Sequence, residues 1–428
     1  MKDNFLLKSD EAIRLYNEAV KDLPIIDYHN HLSVSDIVHD NHYQSLTDIW
    51  LTADPYKHRL MRIMGVDEHF ITGDATPYEK LYKYFEIFPY LAGNPVYDWS
   101  RMELSRIFGI DELPSRDNAE YIYDKCTEML RSPEFSSRSI LSRFGIEYQS
   151  PVSSLLGDLS LYSDGVAPSL RADDLLTPTD KLKSEIVLKS GIALNDIDSY
   201  VKAIAVLLDK FNAKACKFAD HSLDSDFFDG DPCCEKYKIF TKLLNEYAKR
   251  KWTLLLHVGA KRSTSPRLKE IAGPAGGYAA VGGSFNVSRL IDQLAEAESE
   301  GGIPDTVIFP LNMSDHSAAA VLQGSFSECG VTSKVQLGPA WWWCDHTLGI
   351  RNTLSAISSF GVISGFIGMT TDSRSILSFV RHDYFRRIFV DWLVERNHSG
   401  DLDLPRNVLA SIARKVCYQN AKDKLERK

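Results

Sequence analysis

Ile25-Ile26-Asp27-Tyr28-His29-Asn30-His31 is the stretch on which the reading of this chain turns. Its first residues are short and apolar, as in a strand of a parallel sheet that is buried on both faces. Upstream, Ser9–Val20 reads as a helix. Ser9 can cap it, Asp10 and Glu11 suit its positive end, and Ile13, Leu15, Tyr16, Ala19 and Val20 supply an apolar face. Lys21-Asp22-Leu23-Pro24 breaks that helix just before the strand.

Downstream the character changes. From about Ser33 to Arg143 the chain is rich in Tyr, Phe, Trp and Met at helix-like spacing, as in Tyr78–Phe88 and Asn118–Leu130, with little strand signal. Short apolar runs then recur at Ile146–Gln149, Gly165–Leu170, Ala215–Phe218, Thr253–Val258, Thr306–Leu311, Lys334–Leu337 and Phe366–Thr370. Most are separated by helix-length amphipathic stretches, among them Asp198–Phe211, Tyr237–Lys249, Val287–Glu298 and Thr353–Ser359. The gap between the second and third runs is too short for a helix. Strands alternating with helices predict parallel βαβ units, and with Ile25–His29 the runs number eight, enough to close a (β/α)₈ barrel. The expected organisation is an α/β chain: residues 1–32 as opening helix and first strand, 33–143 as a helical insertion, and 144–428 as the rest of the barrel with C-terminal helices.

The composition agrees. The 428 residues are 44% hydrophobic and 25% charged, an ordinary globular mixture that excludes disordered and collagen-like classes. The net charge of −9 argues against nucleic acid as a partner, yet it leaves room for a small anion held by placed arginines. The N-terminus lacks a signal-peptide pattern, no apolar run is long enough for a membrane span, and the seven scattered cysteines include no CxxC pair. The expected setting is therefore the cytoplasm, with no membrane partner; self-association into a homo-oligomer stays open. Gly273–Gly283 reads as a flexible loop, and GxSxG, HExxH and GxxxxGK[ST] are all missing.

Chemistry concentrates where barrel strands would end. Side chains alternate along a strand, so His29 and His31 share a face, and at the C-terminal end of the first strand that face opens on the active-site mouth. Two imidazoles there can bind a divalent cation or simply finish a strand as hydrogen-bonded polar residues. A third ligand is offered by Asp372, in Thr370-Thr371-Asp372-Ser373-Arg374 after the last run, because the first and eighth strands of a closed barrel are neighbours; the alternative is a helix N-cap or loop carboxylate. Two histidines and one carboxylate leave a position open for substrate. His257 would lie at the mouth of the fifth strand as a further ligand, a group that hydrogen-bonds substrate, or a core histidine; His221 after the fourth strand is a weaker candidate. Arg171, Arg262 and Arg374 can bind a carboxylate or phosphate bidentately or pair at the surface, and Trp341-Trp342-Trp343 can wall a sugar pocket or pack in the core.

The chain resembles the uronate (glucuronate) isomerases of the amidohydrolase superfamily over most of its length. The resembling segments are Phe5-Leu6-Leu7, Asp27–Leu32, Asp48–Leu51 with Tyr56-Lys57, Gly93–Tyr97, Asp220-His221, His257–Ala260, Ala340–Trp342, Gly368–Ser375 and Arg381–Arg387. The resemblance implies a distorted (β/α)₈ barrel of the metal-dependent hydrolase type. It further implies an aldose–ketose isomerase that interconverts D-glucuronate with D-fructuronate and D-galacturonate with D-tagaturonate. Carried over by motif, His29, His31 and Asp372 would hold one zinc-like divalent ion, Asp372 would act as base, Tyr56 and Arg374 match pocket residues, and Arg171 matches the arginine that meets the substrate carboxylate. His257, Arg262, Trp341 and Trp342 would complete the substrate side. Two segments depart from the family pattern: Gln149–Ser154 stands where Thr-(Asp/Asn)-Asp-Pro is usual, and Leu170-Arg171-Ala172-Asp173 replaces Trp-Arg-Pro-Asp. These changes are expected beside the sugar. The competing readings are a metal-dependent hydrolase or decarboxylase of the same superfamily, and a non-catalytic sugar-acid binding protein.

Overall fold

β1 (Ile25–Asn30) has all six residues buried, as expected of a strand covered on both faces. The computed structural model describes residues 2–163, 165–262, 264–273 and 276–427. Within them β1 is followed by β2 (Ile146–Ser154), β3 (Ser169–Arg171), β4 (Phe218–Asp224), β5 (Thr253–Lys261), β6 (Ala280–Val281), β7 (Asp305–Pro310) and β8 (Val335–Leu337). The sheet order is β1-β2-β3-β4-β5-β7-β8, parallel throughout, with the two-residue β6 antiparallel on β5. Helices Ile197–Asn212, Glu235–Lys249, Val287–Glu300 and Thr347–Phe360 fall where the amphipathic stretches predict them. The architecture is a distorted (β/α)₈ barrel.

Residues 33–143 fold into helices, with no strand among the described residues there. Three of these helices start alike. Asp54, Asn94 and Thr76 cap helices Pro55–Ile63, Pro95–Phe108 and Pro77–Ile87, each with proline just inside. Proline costs nothing at that position, because its missing N–H would have had no helical partner. The opening helix runs Asp10–Ala19, capped by Ser9 as its sequence suggests.

Three strand expectations need correction. The fourth strand begins three residues later than the run Ala215–Phe218, because Ala215 takes a left-handed φ of 57° that an extended strand cannot hold. The third strand, expected from Gly165, begins at Ser169 and pairs directly with the second, Val152 opposite Ser169, with no helix in the gap that the sequence marks as too short for one. The eighth run, Phe366–Thr370, forms no ladder among the described residues. Gly368 sits in its middle at φ +84°, where an added Cβ would lie 2.1 Å from the Val416 carbonyl oxygen. The bend that glycine permits turns the segment out of strand geometry. Of the Gly-rich loop, Pro274 and Ala275 lie outside the described residues.

Side chains and single backbone bonds therefore close the barrel. Asp372 N–H donates to the His29 carbonyl (3.1 Å) and His31 N–H to the Ser373 carbonyl (2.8 Å). On the other side, Ile367 N–H donates to Gln336 Oε1 (2.9 Å). The fully buried Asp27 carboxylate joins the two edges. It accepts from Thr371 N–H (2.7 Å), the Thr370 and Thr371 hydroxyls (3.0 and 2.8 Å), Asn30 Nδ2 (2.8 Å) and His382 Nε2 (3.0 Å). Burial alone would raise its pKa, but His382, Asn30 and Thr371 outweigh that and hold it below the ordinary carboxylate range.

Asp27→Ala should cost about 3–5 kcal/mol, since it strands several buried donors at once, and a lowered urea midpoint would register it. The lowered carboxyl also fixes a pH sign. Its contribution is complete above the unfolded value near 4 and is lost as pH falls through the lower folded pKa. The variant should thus lose stability at neutral pH and converge on the wild type in acid.

Candidate active site

β1 and the segment after Gly368 meet at the C-terminal mouth of the barrel, where such folds carry their chemistry. His29 Nε2 lies 3.3 Å and His31 Nε2 3.0 Å from the same oxygen, Asp372 Oδ1. Asp372 has a left-handed φ of 47°, a strain of about 1–3 kcal/mol for a residue other than glycine. The Asp27 contacts to Thr370 and Thr371 and the bond to the His29 carbonyl hold it there. Burial opposes charge on Asp372, yet hydrogen bonds from His29 and His31 outweigh it and keep the carboxyl ionised, well below its usual range. The two imidazoles differ: desolvation lowers the pKa of His31, whereas at His29 the charges of Asp220 and Asp372 overcome desolvation and raise it.

The opposite wall comes from β4 and β5. His257 Nδ1 lies 2.7 Å from Asp220 Oδ1, both groups buried. His257 stacks on Phe309 (ring centroids 4.2 Å apart) and meets Trp341 edge-on. Its Nε2, with His29 Nδ1 and Asp220 Oδ2, is buried without a hydrogen-bond partner among the described residues. His257 is therefore not a satisfied core histidine. His221 is turned away from the cavity: its Nε2 meets the Tyr247 hydroxyl at 3.0 Å, it packs against Phe240, its Nδ1 is buried without a partner among the described residues, and burial pushes its pKa down to about 4. The later start of β4 explains the exchange, since Asp220 and Ser222 face the site and His221 faces the helix layer. Asp220 is the residue that sequence reasoning missed, and alternation along a correctly placed strand is the signal that finds it.

These groups line a cavity of about 280 Å³, bounded also by Asp54, Tyr56, Arg171, Arg262, Ala279, Trp341, Trp342, Trp343, Ser373 and Arg374. That is near the small end of ligand pockets, which start at about 300 Å³. Arg171 pairs with Asp173 at 2.9 Å and has Nη1 3.6 Å from Asp220 Oδ2. Arg262 pairs with Asp224 and Ser222 and lies over the Trp342 ring. Arg374 is exposed to the cavity and has no ion-pair or hydrogen-bond partner among the described residues. The Tyr56 hydroxyl is buried and unpartnered, and burial keeps the phenol protonated. All residues singled out from sequence thus meet in one cavity, His221 excepted. The departing segment Gln149–Ser154 does not line it; of residues 149–173, only Arg171 does among those described.

The donor set suits a divalent cation. Bonds of about 2.0–2.1 Å at tetrahedral angles place neighbouring ligand atoms about 3.3 Å apart, close to the 3.0 and 3.3 Å found here. His29, Asp220 and His257 form a second, overlapping set, so two groupings share His29. No helix of the described chain is long and apolar enough to cross a membrane.

Comparison with known proteins gives a consistent result. A family model described as glucuronate isomerase matches residues 1–425. The uronate isomerase of Caldanaerobacter subterraneus subsp. tengcongensis is 34% identical, over 99% of this chain and 98% of that protein. The uronate isomerase of Clostridium perfringens is 31% identical, over 98% of each. The crystal structure of the Thermotoga maritima uronate isomerase superposes with a TM-score of 0.90 at 25% identity, covering 99% of both chains.

His31→Ala and Asp372→Ala should each lower affinity for a divalent ion by at least about 100-fold, whereas His221→Gln should leave it unchanged. Atomic absorption on protein dialysed against buffered metal measures all three.

Proposed function

The chain belongs to the glucuronate isomerase family, and from that premise we propose how its site interconverts D-glucuronate with D-fructuronate and D-galacturonate with D-tagaturonate. One observation carries the reading: two imidazoles and a carboxylate converge within 3.0–3.3 Å in the same cavity as three arginines and a protonated tyrosine. Aldose-to-ketose conversion removes the proton from C2 of the open-chain sugar, protonates the C1 oxygen, then returns a proton to C1 while the 2-hydroxyl loses its own. Negative charge on oxygen and a proton in transit are therefore the two problems to be solved. A single zinc-like ion held by His29, His31 and Asp372 supplies Lewis acidity toward the sugar oxygens.

The chain's own residues do the rest. Asp372, ionised and fixed by its neighbours, carries the proton between C2 and C1, a role typically worth about 10²–10⁴-fold. The Tyr56 phenol and the Arg374 guanidinium donate hydrogen bonds to the oxygens on which charge develops. Arg171 clamps the uronate carboxylate, and Arg262 flanks it from the neighbouring strand. Asp220 fixes His257 through Nδ1, so Nε2 is the edge turned to the substrate. Trp341 and Trp342 form the apolar wall against the sugar's carbon chain and exclude water. We place the reaction in the cytoplasm, the setting expected from the sequence. The hydrolase reading is not favoured: the family match spans nearly the whole chain and the matched relatives are named as isomerases.

Two variants separate these roles. Asp372→Asn should lower kcat by at least about 100-fold, whereas Arg171→Met should act mainly through KM, by about 30-fold or more, as the loss of a charged contact worth about 2–5 kcal/mol. Isomerisation in D₂O followed by NMR should place deuterium on C1 or C2. Near-full turnover by Asp372→Asn would overturn the base assignment, and release of a second product would point to hydrolysis.

A further inference from the structure

A buried cluster of charge lies behind Tyr56, and the reaction as described makes no use of it. Lys57 is 1% exposed, with its ammonium 2.7 Å from Asp54 Oδ2 and 3.3 Å from Glu103 Oε2. Glu103 is 2% exposed and also accepts from Trp50 Nε1, while the Lys57 ammonium sits 5.0 Å above the Trp50 ring. One cation thus serves two carboxylates, Glu103 buried and Asp54 partly so. Desolvating three charges is expensive, and replacing such a cluster with apolar groups of similar volume is often neutral or stabilising. Stability alone gives little reason for it.

Its geometry gives a better one. Asp54 is the cap of helix Pro55–Ile63, and its Oδ1 accepts from Tyr56 N–H (2.9 Å) and Lys57 N–H (3.1 Å). Oδ2 is held by the Lys57 ammonium, so the side chain of Lys57 sets the plane of the carboxylate that grips the Tyr56 backbone. Glu103 ties Lys57 in turn to helix Pro95–Phe108. The same helix contributes Trp99, which meets the Tyr56 ring edge-on at 5.7 Å, opposite Trp343 at 5.3 Å. The Tyr56 hydroxyl has no protein partner among the described residues, so nothing at the oxygen end holds the phenol. Its aim depends on the backbone and on the ring walls.

We propose that Lys57, backed by Glu103, is a positioning residue that aims the Tyr56 phenol through Asp54. The inference rests on the reading of Tyr56 as a hydrogen-bond donor to the substrate. Asp54 lines the cavity but acts here through the backbone of the residue after Pro55. Displacement of a reacting or stabilising group by about 1 Å can cost on the order of 100-fold in rate, and loosening of this cap would cause a shift of that kind.

A double-mutant cycle on the metal-loaded enzyme tests it, with kcat and KM for D-glucuronate measured alongside thermal midpoints. Tyr56→Phe should lower kcat by about 100-fold. Lys57→Met should lower kcat by about 10- to 100-fold with KM changed by less than about 3-fold. The double variant should fall no more than about 3-fold below Tyr56→Phe, because both changes remove the same interaction. Lys57→Arg, which keeps the charge, should recover part of the rate, and it completes the cycle in place of Lys57→Met if that protein does not fold. Lys57→Met with wild-type kcat, or a double variant whose loss is the product of the single losses, would overturn the inference. Tyr56→Phe with wild-type kcat would instead remove the donor reading, and the inference with it. An impaired Tyr56→Phe with additive losses would sink the inference alone.

Discussion

The Asp27 carboxylate is the contact on which the rest of this structure depends. A (β/α)₈ barrel normally closes by a ladder between its first and last strands, and here Gly368 breaks that ladder. Asp27 replaces it with a buried anion that gathers donors from β1, from Thr370 and Thr371, and from His382. Such an arrangement is costly unless every donor is satisfied, and cooperative when it is. Its position explains the site above it. His29 lies two residues further along β1 and His31 just past its end, and Asp372 follows the clamped threonines directly. One carboxylate thus fixes both halves of the candidate ligand set in register, and it holds Asp372 in a backbone conformation it would otherwise avoid.

Much of this was legible in the sequence, for identifiable reasons. Buried parallel strands leave continuous apolar runs, so seven of the eight expected strands appear near their predicted places. The capping residues Asp54, Asn94 and Thr76, each before a proline, mark helix starts that need no tertiary contact to be read. His29, His31 and Asp372 came together because alternation and barrel closure are geometric rules. What the sequence hid was register and long-range pairing. A left-handed Ala215 moved β4 by three residues, which exchanged His221 for Asp220 at the site. The loss of the eighth ladder hinges on one glycine pressed against the Val416 carbonyl, nearly fifty residues away in sequence. The segment that departs most from the family pattern, Gln149–Ser154, proves to be β2 backbone beside β1 rather than cavity lining.

The charge pattern of the molecule also becomes specific. The net charge of −9 described only the whole surface, whereas the cavity mixes both signs at close range. Arg171 and Arg262 are each tied to carboxylates, and Arg374 has none among the described residues. Pairing holds the first two guanidinium groups in fixed directions, as a clamp on a planar carboxylate requires. In the proposed reaction the third is left to follow the sugar as charge moves between its oxygens. Placing anions and cations within one small space walled by tryptophans strengthens each contact, because the effective dielectric falls away from bulk water.

Ketose formation by the purified protein from D-glucuronate and from D-galacturonate, before and after metal removal by a chelator and after return of Zn²⁺, decides whether this cavity isomerises uronates with a divalent ion. Ketose from at least one of the two sugars, loss of activity on chelation and recovery with the ion are expected. Undiminished turnover in the metal-free protein, or no ketose from either sugar with metal bound, would be incompatible with it.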